Sequence, residues 1–364
     1  MDPQRAFCPN LDCPARGQTG QGNIGIHSQQ KQRYSCTVCG KTFSARDGTV
    51  FYRCRIAADL ITLVITLVAH GCPIPAIVAA FGFQARTVRR WVARAGQHCA
   101  ALHQQQVVQP RDLGQVQADE LRVKTQRGVL WMAMAVMVPT RLWLGGVISP
   151  HRDKRLIRQL AAVIRACALP RPLLLAVDGL SSYIEAFRKA FRSPERTGKR
   201  GAPRKAPWAT LVIGQVVKQY CRRRVVGVSR RLAAGTPALL TRLLRQTQGQ
   251  GVLNTAYIER LNATFRARLA VLTRRTRGLA RRQTWLQAGM YLVGTVYNFC
   301  TDHASLTLDD GTRRTPAMAA GITDHRWSVA DLLWHRVPPP RWTPPKRRGR
   351  RSKELQRLID RWAT

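Results

Sequence analysis

Three acidic residues occupy positions where an acid needs a specific partner. Asp119 lies inside "VQADELRV", a predicted strand, and Asp178 ends the apolar stretch "LLLAVDGL". Glu259 is the only acid between Arg196 and Thr301, a stretch that contains 21 Lys or Arg. If these three carboxylates meet, they repel each other unless cations bind between them. Two Mg²⁺ or Mn²⁺ ions would supply that charge and would activate a water molecule at a phosphodiester.

Glu259 also has a simpler explanation, and two other acids, Glu195 and Glu120, are alternative candidates for the site. Glu259 opens a predicted helix, where the helix dipole favours a carboxylate without any catalytic role. Glu195 is a second candidate for the third acid, but its surroundings, "SPERTGKRG", favour a loop, so Glu259 is preferred. Glu120 follows Asp119 directly and is expected to point to the other face of the strand as a structural residue.

Four cysteines near the start of the chain form two close pairs. Cys8 and Cys13 are spaced C-x4-C, and Cys36 and Cys39 are spaced C-x2-C within "YSCTVCGKTF". Four thiolates are the ligand set of a closed structural zinc site, and the metal supplies folding free energy to a small glycine-rich module. We predict a zinc ribbon; the alternative is a loop with fortuitous cysteine pairs. Two residues are candidate substitutes for a misassigned ligand: Cys54 and His27.

The segment "GCPIPAIVAAFGFQARTVRRWVARAG" has the lengths of a helix-turn-helix. A short helix is expected over Pro75–Ala80, a turn at Gly82, and a second helix from about Ala85. The second helix of this motif enters the major groove, where Arg contacts guanine. The alternative is an ordinary three-helix bundle with a charged outer face. Four residues are predicted to face DNA: Arg86, Thr87, Arg89 and Arg90.

After a linker, the apolar pattern changes from helical to alternating. The sequence predicts three antiparallel strands, a helix, a buried parallel strand and another helix, which is the order of a ribonuclease-H-like α/β domain. Their ranges are Val116–Lys124, Val129–Val138, Leu142–Ile148, Lys154–Ala168, Leu173–Val177 and Tyr183–Phe191. Two further strands and three helices are predicted beyond a basic insert near 193–206: Leu211–Tyr220, Val225–Ser229, Pro237–Gln248, Tyr257–Arg277 and Gln283–Cys300.

The charge of the chain indicates its class of partner. Sixty Lys and Arg against 19 Asp and Glu give a formal net charge of +41, so an extended polyanion is expected, and the even spread of cations favours nucleic acid over a membrane. The longest apolar runs, Leu60–Ala69 and Val129–Pro139, are too short to cross a bilayer. We expect no signal peptide before Cys8. We expect reduced thiols and a cytoplasmic, nucleoid-associated protein.

The order of these features resembles the DDE transposases of bacterial insertion sequences, and among them the insertion-sequence-one group and its unclassified relatives. The matching motifs are "QADEL", "LLLAVDGLSSY" and "YIERLNATFRARLAVLTRRTRG", and the later "YNFCTDHASL" extends the resemblance over nearly the whole chain. The long interval between Asp178 and Glu259, with its basic insert, departs from the pattern. The resemblance implies that Asp119, Asp178 and Glu259 bind the metal ions. It also implies that Asn262 and Arg266 line the DNA-facing side of the Glu259 helix. The basic charge of this region predicts DNA contacts by three further residues, Arg260, Arg274 and Arg275.

The sequence therefore predicts a DNA transposase that binds the terminal inverted repeats of an element, hydrolyses a phosphodiester and joins the freed end to target DNA, as a homo-oligomer on DNA. The alternative is a non-catalytic DNA-binding regulator or a decayed transposase. Four regions are expected: a zinc ribbon over 1–54, a helix-turn-helix domain over 55–103, a catalytic domain over 111–300, and a C-terminal region over 301–364. The Pro-rich basic tail of the last region is expected to be mobile and solvated.

Overall fold

The chain forms two compact units. A computed structural model describes residues 1–196, 202–222, 224–249, 251–273, 279–347 and 349–363. The first unit combines Met1–Thr62 with Ala330–Thr364, and the second is Leu63–Val329. Across the described parts of the chain, no helix combines the length and the apolar character needed to cross a bilayer.

The first unit is built around a small antiparallel sheet of three strands, which pair in sequence order. Its core contains Cys8, Cys13 and Cys36 packed with Tyr34 and Phe43. The strands and helices of this unit, two of which cross its boundaries, are β1 (Ile24–Ser28), β2 (Arg33–Cys36), β3 (Thr42–Ser44), α1 (Ala58–Ala69), α10 (Val329–Trp334) and α11 (Lys353–Trp362).

Residues 330–363, which we call the return segment, fold back onto the cysteine-containing core. Trp362 is 3% exposed within that core, and its carbonyl oxygen accepts a 2.7 Å hydrogen bond from Gln18 Nε2. Trp334 packs on Phe51 with ring centroids 4.4 Å apart. The expectation of a solvated tail is therefore wrong at Trp362, because its side chain packs on apolar partners far away in sequence, whereas most of the described residues of 341–357 are exposed.

The second unit contains a mixed sheet of six strands. They are β4 (Gln115–Thr125), β5 (Gly128–Met137), β6 (Trp143–Ser149), β7 (Leu173–Asp178), β10 (Leu211–Cys221) and β11 (Arg224–Ala234). Their order in the sheet is β11-β10-β7-β4-β5-β6. Strands β4, β5 and β6 are antiparallel, whereas β7 is parallel to both β4 and β10. The prediction of mixed α/β content is thus confirmed.

Helices cover the sheet, which explains why its central strands are apolar on both faces. The remaining helices of this unit are α2 (Ile74–Phe81), α3 (Ala85–Gln106), α4 (Lys154–Ala166), α5 (Ser182–Ala190), α6 (Pro237–Gln248), α7 (Ala256–Arg268), α8 (Gln283–Cys300) and α9 (Pro316–Ala319). Every residue of β7 before Asp178 is buried, and α4 buries one apolar face after an N-cap in which Asp153 accepts from Leu156 N at 2.9 Å.

The predicted helix-turn-helix segment has the expected order of a short helix, a turn at Gly82 and a second helix from Ala85. Helix α2 ends at Gly82, whose φ of 68° is the left-handed conformation that glycine adopts freely. Helix α3 continues to Gln106 and packs against α8 in the same unit as the sheet. The two helices approach so closely at Gly96 that a Cβ there would lie 2.4 Å from the Ala288 carbonyl oxygen.

The predicted helix Tyr257–Arg277 and the region of the basic insert also differ from the prediction. The predicted helix to Arg277 ends at Arg268, because Leu269 and Leu272 turn into the core beside β4 and β5. The region of the basic insert contains a two-stranded antiparallel sheet formed by β8 (Arg192–Glu195) and β9 (Arg204–Pro207). Glu195 therefore lies at the end of a strand and not in the expected loop.

Candidate functional site

Two of the predicted acids lie side by side because their strands are neighbours. The parallel register of β4 and β7 places Gln117 opposite Ala176, and Asp119 and Asp178 each follow two residues later. Both carboxylates therefore reach the carboxyl end of β7, the edge where α/β sheets commonly place their sites. Asp119, Glu120 and Asp178 each offer an oxygen, and these oxygens lie within 4.8 Å of one another.

Asp119 is held in a largely buried position by two hydrogen bonds. Its Oδ1 accepts from the backbone N–H of Glu120 at 2.8 Å, and its Oδ2 accepts from Asn262 Nδ2 at 2.7 Å. Burial, and then the nearby carboxylates of Glu120, Asp178 and Glu259, raise the pKa of Asp119 to about 7. A divalent cation would relieve both effects.

Arg152 binds two of the clustered carboxylates. Its Nη2 lies 2.9 Å from Glu120 Oε2 and 3.1 Å from Asp178 Oδ2. Asp178 Oδ1 also accepts from Leu180 N at 3.0 Å. The side chain of Glu120 is fully buried, and burial raises its pKa. Glu120 was expected to lie on the other face of its strand as a structural residue. Its ion pair with Arg152 gives it such a role, and one of its oxygens also lies within the 4.8 Å group.

Glu259 lines the same cavity, of about 490 Å³, as Asp119 and Asp178. It lies in the first turn of α7, and its Oε1 accepts from Lys218 Nζ at 2.5 Å and from Thr255 Oγ1 at 2.8 Å. The hydrogen bond with Glu259 raises the pKa of the Lys218 ammonium. Glu259 lies outside the group of oxygens within 4.8 Å, so the structure brings it to the cavity but not into that close cluster.

The start of α7 is attached to β4 by one buried side chain. Gln117 Oε1 accepts from the backbone N–H groups of Tyr257 and Ile258, both at 3.0 Å, and its Nε2 donates to the Asn254 carbonyl at 2.8 Å. These N–H groups belong to the first turn, where a helix has no internal partners for them. Since Gln117 lies two residues before Asp119, one strand positions both an aspartate and the helix of Glu259.

The residues predicted to bind DNA along α7 have different surroundings. Arg260 is exposed and Arg266 is half-buried. Asn262 is only 2% exposed and donates to Asp119, so it orients a carboxylate instead of facing DNA. Arg274 and Arg275 lie outside the described residues.

The four predicted residues of the helix-turn-helix lie on the first turns of α3. Arg86 and Arg90 are exposed, whereas Thr87 is half-buried. Arg89 is also half-buried, with its guanidinium 5.8 Å from the centroid of the Trp285 ring on α8. This cation–π geometry gives Arg89 an intramolecular contact in addition to the predicted role.

The four cysteines predicted to bind zinc converge in the first unit, and their sulfur atoms lie within 4.8 Å of one another. Burial raises the pKa of the Cys8 and Cys13 thiols, that of Cys13 to about 12. Burial also opposes ionisation of Cys39, but hydrogen bonds, first from the Lys41 backbone, lower its pKa to about 7. Four neighbouring cysteines can all ionise only if a cation binds among them, so the cluster is consistent with a metal-binding group.

Three residues that line or support the cavity were not found from the sequence. Arg152 and Lys218 are two cations among sixty, and nothing in their local sequence distinguishes them. Gln117, by contrast, is a polar residue on the same side of a strand as Asp119, which is a signal that alternation alone could have revealed.

No protein-family model and no curated protein matches this chain.

Proposed function

We propose that this protein is a DNA transposase of the DDE type, with Asp119, Asp178 and Glu259 as the ligands of two Mg²⁺ or Mn²⁺ ions. One observation carries the proposal: the parallel register of β4 and β7 places two aspartates together in a cavity that Glu259 also lines. The net charge of +41 supports DNA as the substrate. The donors are carboxylate oxygens, which both ions prefer.

The strand order supports a ribonuclease-H-like interpretation of the second unit. Three antiparallel strands are followed by two parallel ones on the other side of β4, and the acids come from the first strand, the fourth strand and a later helix. Strand β11 extends this sheet by a hairpin with β10.

The chain's own residues hold the reacting groups in place. Asn262 and the Glu120 backbone orient Asp119, while Lys218 and Thr255 orient Glu259. Arg152 and Lys218 both line the cavity and would contact non-bridging phosphate oxygens. When bound, the metal ions would activate water and stabilise the leaving oxygen. Hydrolysis leaves a 3′ hydroxyl, which then displaces a 3′ oxygen from a phosphorus atom in target DNA.

The cysteine cluster fits Zn²⁺. The Sγ atoms of Cys8 and Cys39 are 3.6 Å apart, and those of Cys13 and Cys36 are 3.8 Å apart. Tetrahedral zinc with Zn–S bonds of about 2.3 Å needs sulfur atoms about 3.8 Å apart. With its antiparallel sheet, this module supports a zinc-ribbon interpretation in which Zn²⁺ is structural.

The partner in this proposal is double-stranded DNA, both the element ends and the target. Arg86, Thr87 and Arg90 on α3 would read the ends, and Arg260 would contact backbone phosphate. An element has two ends, so a homo-oligomer on DNA is part of the proposal.

The test uses a plasmid carrying the genomic DNA that flanks the coding region on both sides, incubated with the protein and MgCl₂. We expect wild type to nick the plasmid and to form joined products, and Glu259→Gln to lower both rates at least about 100-fold, as for loss of a transition-state contact. Glu195→Gln removes an exposed acid on β8 and is the matched control.

Equal cleavage by wild type and Glu259→Gln would refute the assignment of the third acid. Loss of activity only in Glu195→Gln would transfer that role to Glu195. Binding of the plasmid without nicking by wild type would favour the non-catalytic regulator, and nicking without joining would favour a nuclease.

A further inference from the structure

The return segment combines an apolar face with a cationic face on one helix. Helix α11 begins after Ser352, whose Oγ accepts from Leu355 N at 3.2 Å. Trp362 and Leu358 pack on the cysteine-containing core, whereas Lys353 and Arg357, one turn apart, are exposed. The helix is therefore attached to the core by one side and presents cations on the other.

Contacts along the rest of the return segment attach it to the same module. Val50 N donates to the Leu333 carbonyl at 3.2 Å, and Val337 N donates to the Gly48 carbonyl at 3.1 Å. The Arg336 guanidinium lies 5.2 Å from the centroid of the Tyr34 ring. These contacts precede α11, so the attachment extends over much of the segment.

The close approach of backbones supports the same attachment. Gly17 has a φ of +70°, and a Cβ on it would lie 2.4 Å from the Pro339 carbonyl oxygen. Glycine is needed there both for its conformation and for its lack of a side chain. Gly17 closely follows the segment between Cys8 and Cys13, so the return segment packs against a loop that carries two of the cysteines.

The return segment also supplies much of the positive charge of the unit. Residues 330–364 contain ten Lys or Arg and three acids, whereas residues 1–62 contain eight Lys or Arg and four acids. A groove in the module is lined by four cations, including Arg46, and the Arg46 guanidinium lies 6.0 Å from the centroid of the Trp334 ring. Arg46 thus belongs to the cationic groove and also contacts the return segment.

We propose that the return segment is an integral part of the four-cysteine module and that its exposed cations bind the phosphates of double-stranded DNA. Metal occupancy of the cysteines and DNA binding by the return segment are then coupled through the packing of Trp362. Only the choice of DNA as the polyanion rests on the proposed function. It does not depend on the carboxylates or on cleavage.

The first experiment measures metal release from the full-length zinc-loaded protein with the chromogenic chelator 4-(2-pyridylazo)resorcinol. Trp362→Ala removes a large buried side chain from the core and is expected to accelerate release by about tenfold or more. Trp285→Ala, which truncates a Trp that is 43% exposed in the second unit, is the matched control and should release zinc at the wild-type rate. Equal release from Trp362→Ala and wild type would overturn the structural part of the proposal.

The second experiment measures binding to a random-sequence DNA duplex without divalent ions over a range of KCl concentrations. The triple variant Arg350→Gln, Lys353→Gln, Arg357→Gln removes three exposed cations, Arg350 just before α11 and the other two on it. It keeps the packed face of α11 intact. It should release zinc at the wild-type rate. The plot of log affinity against log salt has a negative slope, and each phosphate contact contributes about 0.9 to its magnitude. The triple variant should therefore reduce that magnitude by about 2 to 3. The double variant Glu354→Gln, Asp360→Asn is the control on the same helix, and the magnitude of its slope should not decrease.

An unchanged salt slope in the triple variant would overturn the assignment of these cations to DNA. Stronger binding of the wild type to phosphatidylserine vesicles than to the duplex, lost in the triple variant, would assign them to a membrane surface instead. Because neither experiment involves strand cleavage, failure of the carboxylate site and failure of this inference are distinguishable.

Discussion

Asp119 should make the stability of the second unit depend on pH. Burial, followed by the neighbouring carboxylates, raises its pKa from 3.8 to about 7. The folded protein therefore binds this proton more tightly than the unfolded chain, and the free energy of unfolding falls as pH rises from about 4 to about 7. With about 1.4 kcal/mol for each pKa unit, the ionised carboxylate destabilises the metal-free protein by at most about 4 kcal/mol at pH 8.

Asp119→Asn should remove this cost while keeping the local hydrogen bonds. Asn262 Oδ1 is buried and has no hydrogen-bond partner among the described residues. If the Asn262 amide turns over, its Oδ1 can accept from the side-chain N–H that the substitution introduces, and the introduced amide oxygen can still accept from Glu120 N. We therefore expect the variant to be more stable than wild type at pH 8, by about 2–4 °C in Tm for each kcal/mol. The difference should shrink as pH falls towards 4.

Calorimetric unfolding between pH 5 and pH 8 in magnesium-free buffer tests this expectation. Asp309→Asn, which changes an exposed acid, should follow the wild-type profile. Adding MgCl₂ at pH 8 should stabilise wild type, because a ligand that binds the folded state raises its stability, and should have little effect on Asp119→Asn. If wild type and Asp119→Asn lose stability in parallel as pH rises, the argument from burial and carboxylate repulsion is wrong.

Three further substitutions test features that stabilise each unit internally. Gln117→Leu leaves two first-turn N–H groups of α7 without an acceptor and should cost about 2–4 kcal/mol, seen as a lower midpoint in urea and weaker Mg²⁺ binding by calorimetry. Gly96→Ala should separate α3 from α8 and lower Tm by several degrees, consistent with about 1–3 kcal/mol for overpacking, whereas Gly251→Ala, which meets no atom within 4 Å, should be nearly neutral. Cys36→Ser should abolish the thiolate-to-metal absorption of the Co²⁺-substituted module, and Cys72→Ser should retain it.

The elements that were predictable from sequence are those specified by local pattern. The alternating strands around Asp119 and the wholly apolar strand ending at Asp178 follow from periodicity, and once their topology is inferred the two acids must be neighbours. Helix α8 was predicted with its observed bounds, Gln283–Cys300, because this stretch is mostly apolar and contains no charged residue. The cysteine pairs likewise converge as their spacing indicated.

What could not be predicted depends on partners distant in sequence. Arg152 can be assigned to the site only once the fold places it within reach of Glu120 and Asp178. Lys218 can be assigned only once the fold places it beside Glu259. The return segment has the composition of a solvated linker, and the hydrogen bond between Gln18 and Trp362 joins residues 344 positions apart. Local propensity carries no information about such contacts, since tertiary packing decides them.

The return segment also sets the order in which the protein can assemble during synthesis. Residues 1–62 leave the ribosome before the second unit, but their core lacks Trp362 until the whole of Leu63–Val329 has been translated. Domains commonly fold in order from the amino terminus as they emerge, whereas this module must wait for a contact that closes a very long loop. Entropy opposes such closure only logarithmically with length, so the delay is one of timing and not of stability. Nascent chains that stop before Trp362 would carry the cysteines without the packing that completes their core.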